Sequence, residues 1–138
     1  MKKYALLLLA IVIVSCNSSI SDEDIAYLNG YWEIEKAITP DGVEKEYKVN
    51  ATVDYFEVEE NKGIRKKVMP QLDGTYRVND TAEAIAIVRE DDKTYIAYKT
   101  NYSEWKEQII ELDKEHMVIK NEQDIEYHYK KSVPFGSK

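Results

Sequence analysis

The chain has 138 residues, which is enough for one domain. Charged residues make up 33% and hydrophobic residues 43% of it, a composition typical of a globular protein that excludes a disordered or collagen-like chain. The single cysteine excludes internal disulfides and multi-cysteine metal sites, and the net charge of -7 argues against nucleic acid as a partner.

The first residues combine a positive start with an apolar run. Lys2 and Lys3 precede eleven uncharged residues, Tyr4 to Val14. As a helix this run would be about 16 Å long, whereas the hydrocarbon layer of a bilayer is about 30 Å thick. The run therefore predicts the core of a secretion signal rather than a transmembrane span.

The apolar run ends at Ser15 and Cys16, the only cysteine. A small residue directly before a cysteine at the end of an export signal resembles the bacterial lipobox, in which the cysteine receives a diacylglycerol before the signal is cleaved. The resemblance implies that residues 1–15 are a signal peptide and that Cys16 carries a covalent lipid anchored in a membrane. We therefore expect a lipoprotein of the bacterial cell envelope, in the outer membrane and facing the periplasm or the cell surface. The alternative is an ordinary signal followed by an unmodified cysteine.

A tether and a short helix follow the predicted lipid site. Residues 16–21 are short and polar, which is typical of a tether. Ser21 followed by the acids of residues 22–24 predicts a capped helix start, and Asn29-Gly30 predicts its end. The domain is expected over residues 22–133, with 134–138 as a tail.

The rest of the domain shows the alternation of β-strands, with short turns between them. A slip in the alternation at Tyr55 and Phe56 predicts a bulge. The connections leave no room for crossover helices, so we predict an all-β, antiparallel, up-and-down meander of eight to nine strands that closes into a small barrel. The predicted strands are 31–39, 52–60, 64–69, 75–78, 83–90, 94–100, 104–112, 116–120 and 125–130.

Three short motifs resemble those of the lipocalins, in particular the lipocalin-like lipoproteins of Gram-negative bacteria. Gly30-Tyr31-Trp32 is similar to the family's Gly-x-Trp signature, and Thr100-Asn101-Tyr102 is similar to its Thr-Asp-Tyr motif. Near the last strands, where the family has an arginine that packs on the tryptophan, this chain instead offers Lys130 or Lys131. The resemblance implies a barrel that Trp32 closes at one end and that binds a small apolar ligand through the other.

Aromatic residues on the predicted strands are the candidates for lining a ligand pocket: Trp32, Tyr55, Tyr98, Trp105 and Tyr127. Aromatic side chains on strands also fill cores. Two hypotheses therefore remain open. The first is a membrane-anchored binding protein for a small apolar ligand. The second is a non-enzymatic structural or interaction subunit of an envelope complex, with an envelope protein as partner, a filled barrel and no ligand.

The sequence offers little catalytic chemistry. It has two histidines, His116 and His128, and no nucleophile elbow, phosphate loop or zinc-protease motif. We expect no enzymatic activity, no catalytic residues, no cofactor and no metal. The basic run Arg65 to Lys67 is expected on a solvated strand face or on a strand edge that the lysines protect.

The lipid assignment predicts the behaviour of a Cys16→Ala variant. Without the thiol no thioether to a diacylglycerol can form, so the variant should accumulate as an unlipidated precursor. Intact-mass measurement and detergent partitioning check this. Release of the wild-type chain into the soluble fraction without detergent would contradict the anchor.

Overall fold

The structure, a computed structural model, describes residues 20–50 and 52–133. The expected signal peptide (1–15), Cys16 and the tail (134–138) lie outside the described residues, as do residues 17–19 of the tether. Within the described part of the chain, neither helical segment has the length and apolar character that a bilayer crossing requires.

A short helix and nine strands make up the domain. The helix α1 is Asp22–Ile25, and one turn of 3-10 helix, Ala26–Leu28, extends it. The strands are β1 Gly30–Ile38, β2 Glu44–Glu46, β3 Val53–Glu59, β4 Lys62–Pro70, β5 Tyr76–Glu90, β6 Lys93–Lys99, β7 Glu104–Leu112, β8 His116–Lys120 and β9 Glu126–Lys131.

Eight of the strands form a closed antiparallel barrel. They follow one another around the ring from β1 through β3 to β9, and β9 pairs with β1 to close it. The remaining strand, β2, pairs with the second half of β1 along the edge that β3 leaves free. The predicted all-β meander, its closure and the short N-terminal helix are thereby confirmed.

Three details differ from the predictions. The strand β2 was not predicted, because its three residues are all charged and exposed and show no apolar alternation. The predicted strands 75–78 and 83–90 are a single 15-residue strand, whose pairing with β4 is irregular opposite Lys67. The bulge at Tyr55 and Phe56 is wrong, since β3 pairs with β4 without interruption. The alternation slips there because Tyr55 faces outward and packs on Tyr31, with 4.8 Å between ring centroids.

The N-terminal helix closes one end of the barrel. Ser21 and Asp24 form a capping box, in which the Ser21 hydroxyl accepts from the Asp24 N–H and the Asp24 carboxylate accepts from the Ser21 N–H, both at 3.1 Å. Ile25 and Leu28 are buried in the barrel core. We call this the closed end.

Trp32 is the centre of the closed end. The side chain is fully buried, and its indole N–H donates to the Leu28 carbonyl at 2.8 Å. The Lys131 amino group lies 4.2 Å from the centroid of the Trp32 ring, and donates to the carbonyls of Tyr27 and Asn29 at 2.9 and 2.6 Å. The cation over the tryptophan is therefore Lys131 rather than Lys130, which is exposed.

Neighbouring lysines allow a matched test of this contact. We expect Lys131→Met to lower the free energy of unfolding by about 1–3 kcal/mol, because it removes charged hydrogen bonds and a cation–π contact. Lys130→Met should change it by less than about 0.5 kcal/mol, since that side chain is exposed. Urea titrations of the two variants measure the difference, and equal effects would rule out the role given to Lys131.

Candidate functional site

The end of the barrel opposite α1 is open, and we call it the mouth. Its rim is formed by residues 39–50 and 52, by the hairpin between β4 and β5, by the turn between β6 and β7 and by the turn between β8 and β9. Large hydrophobic side chains stand exposed on these loops, with Val49 and Leu72 each 92% and Tyr102 97% accessible. Because they lie on three separate loops, they do not by themselves define a binding surface.

The half of the barrel next to the closed end is filled. Apolar side chains from the strands pack above Trp32 and leave a continuous core: Phe56, Ile85, Ile96, Ile109, Met117 and Ile119. An eight-stranded barrel is just wide enough for side chains of this size to fill its interior.

Charged groups line the upper half of the interior. Arg65 lies 2.5 Å from the Glu83 carboxylate and 3.6 Å from that of Glu107, and Lys67 lies 2.9 Å from Asp54. The expectation that Arg65 and its neighbours share a solvated strand face is wrong for Arg65. In the register of β3 with β4 it pairs with Phe56, a core residue, and so points into the barrel.

Glu107 is the most unusual group of this cluster. It is 8% exposed, and its Oε1 atom accepts no hydrogen bond among the described residues. Burial raises the pKa of its carboxyl, and the nearby charges of Asp54 and Glu83 act in the same direction, against Tyr98 and Arg65. Burial likewise holds the pKa of the Tyr98 hydroxyl well above its usual value.

Two clefts at the mouth lead into this polar region. The first has a volume of about 270 Å³ and lies between β7 and β9, beside the turn that joins β8 to β9. The second, of about 370 Å³, lies where β3 separates from β1. Tyr127 and Tyr129 line both clefts and stand between them.

The structure brings four of the five predicted ligand-lining residues into the interior. Tyr98 and Trp105 stack in the upper half, with ring centroids 5.2 Å apart and planes at 10°. Tyr127 lines both clefts, and Trp32 reaches the base of the second. Tyr55 is the exception, because it lies on the outer face and cannot contact an interior ligand.

The residues of the family motifs lie at the two ends. Gly30 begins β1 with φ of 118°, where a Cβ atom would come within 3.2 Å of the Lys131 side chain. Thr100 shapes a turn of the mouth, because its hydroxyl accepts from the N–H groups of Tyr102 and Ser103 at 3.2 and 3.1 Å. Tyr102 itself points into solvent.

The sequence did not point to Glu107 or to the charged residues beneath it, whereas Tyr129 is one of the strand aromatics expected to line either a pocket or the core. A signal was available in β7, where Trp105, Glu107 and Ile109 occupy alternate positions and so share the inward face. A carboxylate between two large apolar residues on one strand face marks either a buried charge or a bulge. Only the pairing of β7 with its neighbours decides between the two.

A third concavity, of about 640 Å³, lies along β5, β6 and the start of β7, and its lining includes Tyr98 and Trp105 of the predicted ligand-lining residues. Its floor is formed by Ala84, Ala86 and Ala97, which alternate with inward-facing residues of β5 and β6. Two of the lysines that line it are paired with acids, Lys99 with Glu104 at 3.4 Å and Lys106 with Glu90 at 2.8 Å. Among the described residues, no three His, Cys, Asp or Glu side chains come together as a metal site would require.

Comparisons with known proteins found similarity at the level of structure. The chain matches no protein-family model and no curated protein. It is similar to the crystal structure of a lipocalin-like protein from Bacteroides uniformis, at 12% sequence identity and a TM-score of 0.47 over 77% of this chain and 99% of that one. It is also similar to an uncharacterized protein from Bacteroides eggerthii, at 14% identity and a TM-score of 0.48 over 76% and 99% of the two chains.

The raised pKa of Glu107 predicts a pH-dependent effect of Glu107→Gln. The pKa of this carboxyl is higher in the folded than in the unfolded state, so its ionisation lowers the free energy of unfolding. This loss grows as the pH rises from the unfolded-state pKa through the folded-state pKa. The variant should therefore gain stability relative to the wild type between about pH 4 and about pH 8. Unfolding free energies of both proteins at the two pH values check this, and a difference that shrinks or stays constant with rising pH would contradict it.

Proposed function

We propose that this protein is a membrane-anchored, lipocalin-like binding protein that holds a small ligand at the mouth of its barrel. The observation that carries the proposal is the pair of clefts on either side of Tyr127 and Tyr129. A barrel that served only as a packed scaffold would have no need of them.

The dimensions and lining of the clefts indicate the kind of ligand. Pockets for small molecules are usually about 300–1,000 Å³. The second cleft, of about 370 Å³, falls within this range and the first, of about 270 Å³, just below it, so both suit only a small ligand. Trp105 and the two tyrosines offer apolar surface, whereas Asp54 and Glu107 offer charge. This favours an amphipathic ligand, with an apolar body and a polar group, over the purely apolar one expected from the family resemblance.

The position of the N-terminus supports an anchor that leaves the mouth free. Ile20 is buried at the closed end, and Arg89 binds its carbonyl at 2.5 Å and the Asp22 carboxylate at 2.7 Å. From Ile20 to a lipid on Cys16 the chain can span about 14 Å at most. An anchor there, in the outer membrane of a bacterial envelope, would hold the closed end near the bilayer and direct the mouth away from it.

The charge of the closed end fits a purely lipid-mediated attachment. Exposed acids on α1 and on the turns of this end outnumber the bases and would be repelled by anionic headgroups. They are Asp22, Glu23, Glu59, Glu60, Glu90, Asp91, Asp92, Asp113 and Glu115.

We propose no catalytic role for the clefts. His116 lies 3.8 Å from Asp113 at the closed end, and His128 lies 3.9 Å from Glu126, its neighbour on β9. Neither histidine lines a cleft. If 1-naphthol shows no saturable binding, the alternative of a ligand-free interaction subunit would be favoured.

Binding of 1-naphthol, a small neutral amphiphile, tests the proposal. Calorimetric titration of the full chain in maltoside micelles, with protein-free micelles as blank, should show saturable one-to-one binding. Trp105→Ala should weaken it at least about fivefold, because an aromatic wall of the first cleft is lost. Tyr55→Ala is the matched control and should leave it unchanged, since Tyr55 lies on the outer face. Absence of saturable binding, or equal effects of the two variants, would overturn the proposal.

A further inference from the structure

We propose that the first cleft, between β7 and β9, recognises an organic cation, such as a quaternary or alkylated ammonium group. This inference rests on the proposed ligand binding at the mouth and specifies its chemistry. It follows from the aromatic walls of the cleft and from one buried carboxylate, Glu107, whose cation partner among the described residues, Arg65 at 3.6 Å, is paired more closely with Glu83.

Three aromatic side chains line the cleft, and none of their rings is covered by a lysine or arginine of the described residues. Trp105, Tyr127 and Tyr129 line it, and the faces of such rings attract cations within about 6 Å. Elsewhere in the domain, lysines already make such contacts. The Lys106 amino group lies 4.5 Å from the ring centroid of Tyr95, and that of Lys131 lies 4.2 Å from the ring centroid of Trp32. No such contact involves the three rings of the cleft within residues 20–50 and 52–133.

The charges beneath the cleft leave a surplus carboxylate. Glu83 is paired with Arg65 at 2.5 Å, and Asp54 with Lys67 at 2.9 Å. Glu107 is left with a distant contact, 3.6 Å to the same Arg65, and its Oε1 accepts no hydrogen bond from the described residues. The cluster thus holds three acids against two bases, and the unmatched acid borders the cleft.

The one basic residue on the cleft wall does not neutralise Glu107. The Lys106 amino group donates to Glu90 at 2.8 Å and lies over Tyr95, both on the outer side of β7. Its backbone N–H donates instead to Glu122 at 3.3 Å, which places a second carboxylate at the rim of the same cleft. A bound ammonium group would meet aromatic faces and two acids, whereas a carboxylate or phosphate ligand would be repelled.

Choline and its neutral isostere 3,3-dimethylbutan-1-ol form a matched pair of probes. They differ in charge and hardly in shape, so the ratio of their dissociation constants measures how much the positive charge contributes to binding. For the full chain in maltoside micelles we expect choline to bind at least about tenfold more tightly than the alcohol, as measured by calorimetry. Equal affinities would overturn the inference.

Variants locate the effect. Glu107→Gln should weaken choline binding about tenfold and leave the alcohol within about twofold, because only the charge is removed. Glu111→Gln is the matched control, an exposed carboxylate on the same strand that does not line the cleft, and should leave choline binding within about twofold. If Glu107→Gln fails to fold, Tyr127→Leu, a half-buried change at the rim, should show the same selective loss. A loss that affects both probes equally would overturn the inference.

The naphthol titration separates this inference from the broader proposal. Saturable binding of 1-naphthol without preference for choline would leave the binding function standing and overturn the cation site. If choline binds in a way that depends on Glu107 but 1-naphthol does not bind, the cation site would be supported. The ligand could then not carry an apolar group as large as naphthalene. If none of the three probes binds, the proposed function itself fails.

Discussion

The pairing of β9 with β1 is the constraint on which the rest of the structure depends. It converts a meander with two free edges into a ring, and a closed sheet has no exposed edge to pair with other chains. The same seam sets Trp32 opposite Lys131 at the closed end and Ala37 opposite Tyr127 near the mouth. One run of backbone hydrogen bonds thus determines both how the barrel is sealed and where the cleft aromatics stand.

The interior is divided into two halves with different chemistry. Next to the helix, apolar side chains fill the barrel and exclude water, so Trp32 can be buried completely with its N–H bonded to a carbonyl. Toward the mouth, the same space holds ion pairs, which are costly to bury and which a packed core does not require. Retaining charges where apolar residues would fill the barrel more cheaply is consistent with a role in recognition, and this is the physical basis of the cation proposal.

Local patterns in the sequence predicted the parts of the fold that local chemistry decides. The cap at Ser21, the turns and most strands depend on neighbouring residues, and the pattern of short connections was enough to indicate an antiparallel barrel. The orientation of Arg65 depended instead on the register with β3, which no local pattern contains. Tyr55 was misplaced for a related reason, since an aromatic side chain on a strand is compatible with either face and Tyr31 provided a partner outside.

The candidate site was predictable in its aromatic half only. Trp105 and Tyr127 are large and stand out in the sequence, whereas Glu107 is one of 26 acidic residues and is distinguished only by its surroundings. In a chain this rich in carboxylates, burial identifies the unusual one, and burial is a property of the assembled barrel.

The attachment of Ile20 has a mechanical consequence. Its side chain belongs to the core and its carbonyl is held by Arg89, at the end of β5 farthest from the mouth. A pull transmitted along the preceding chain would therefore load the sealed base of the barrel first. The loops around the mouth would carry little of that force. A pull on the segment before Ile20 would therefore leave the shape of the mouth unchanged.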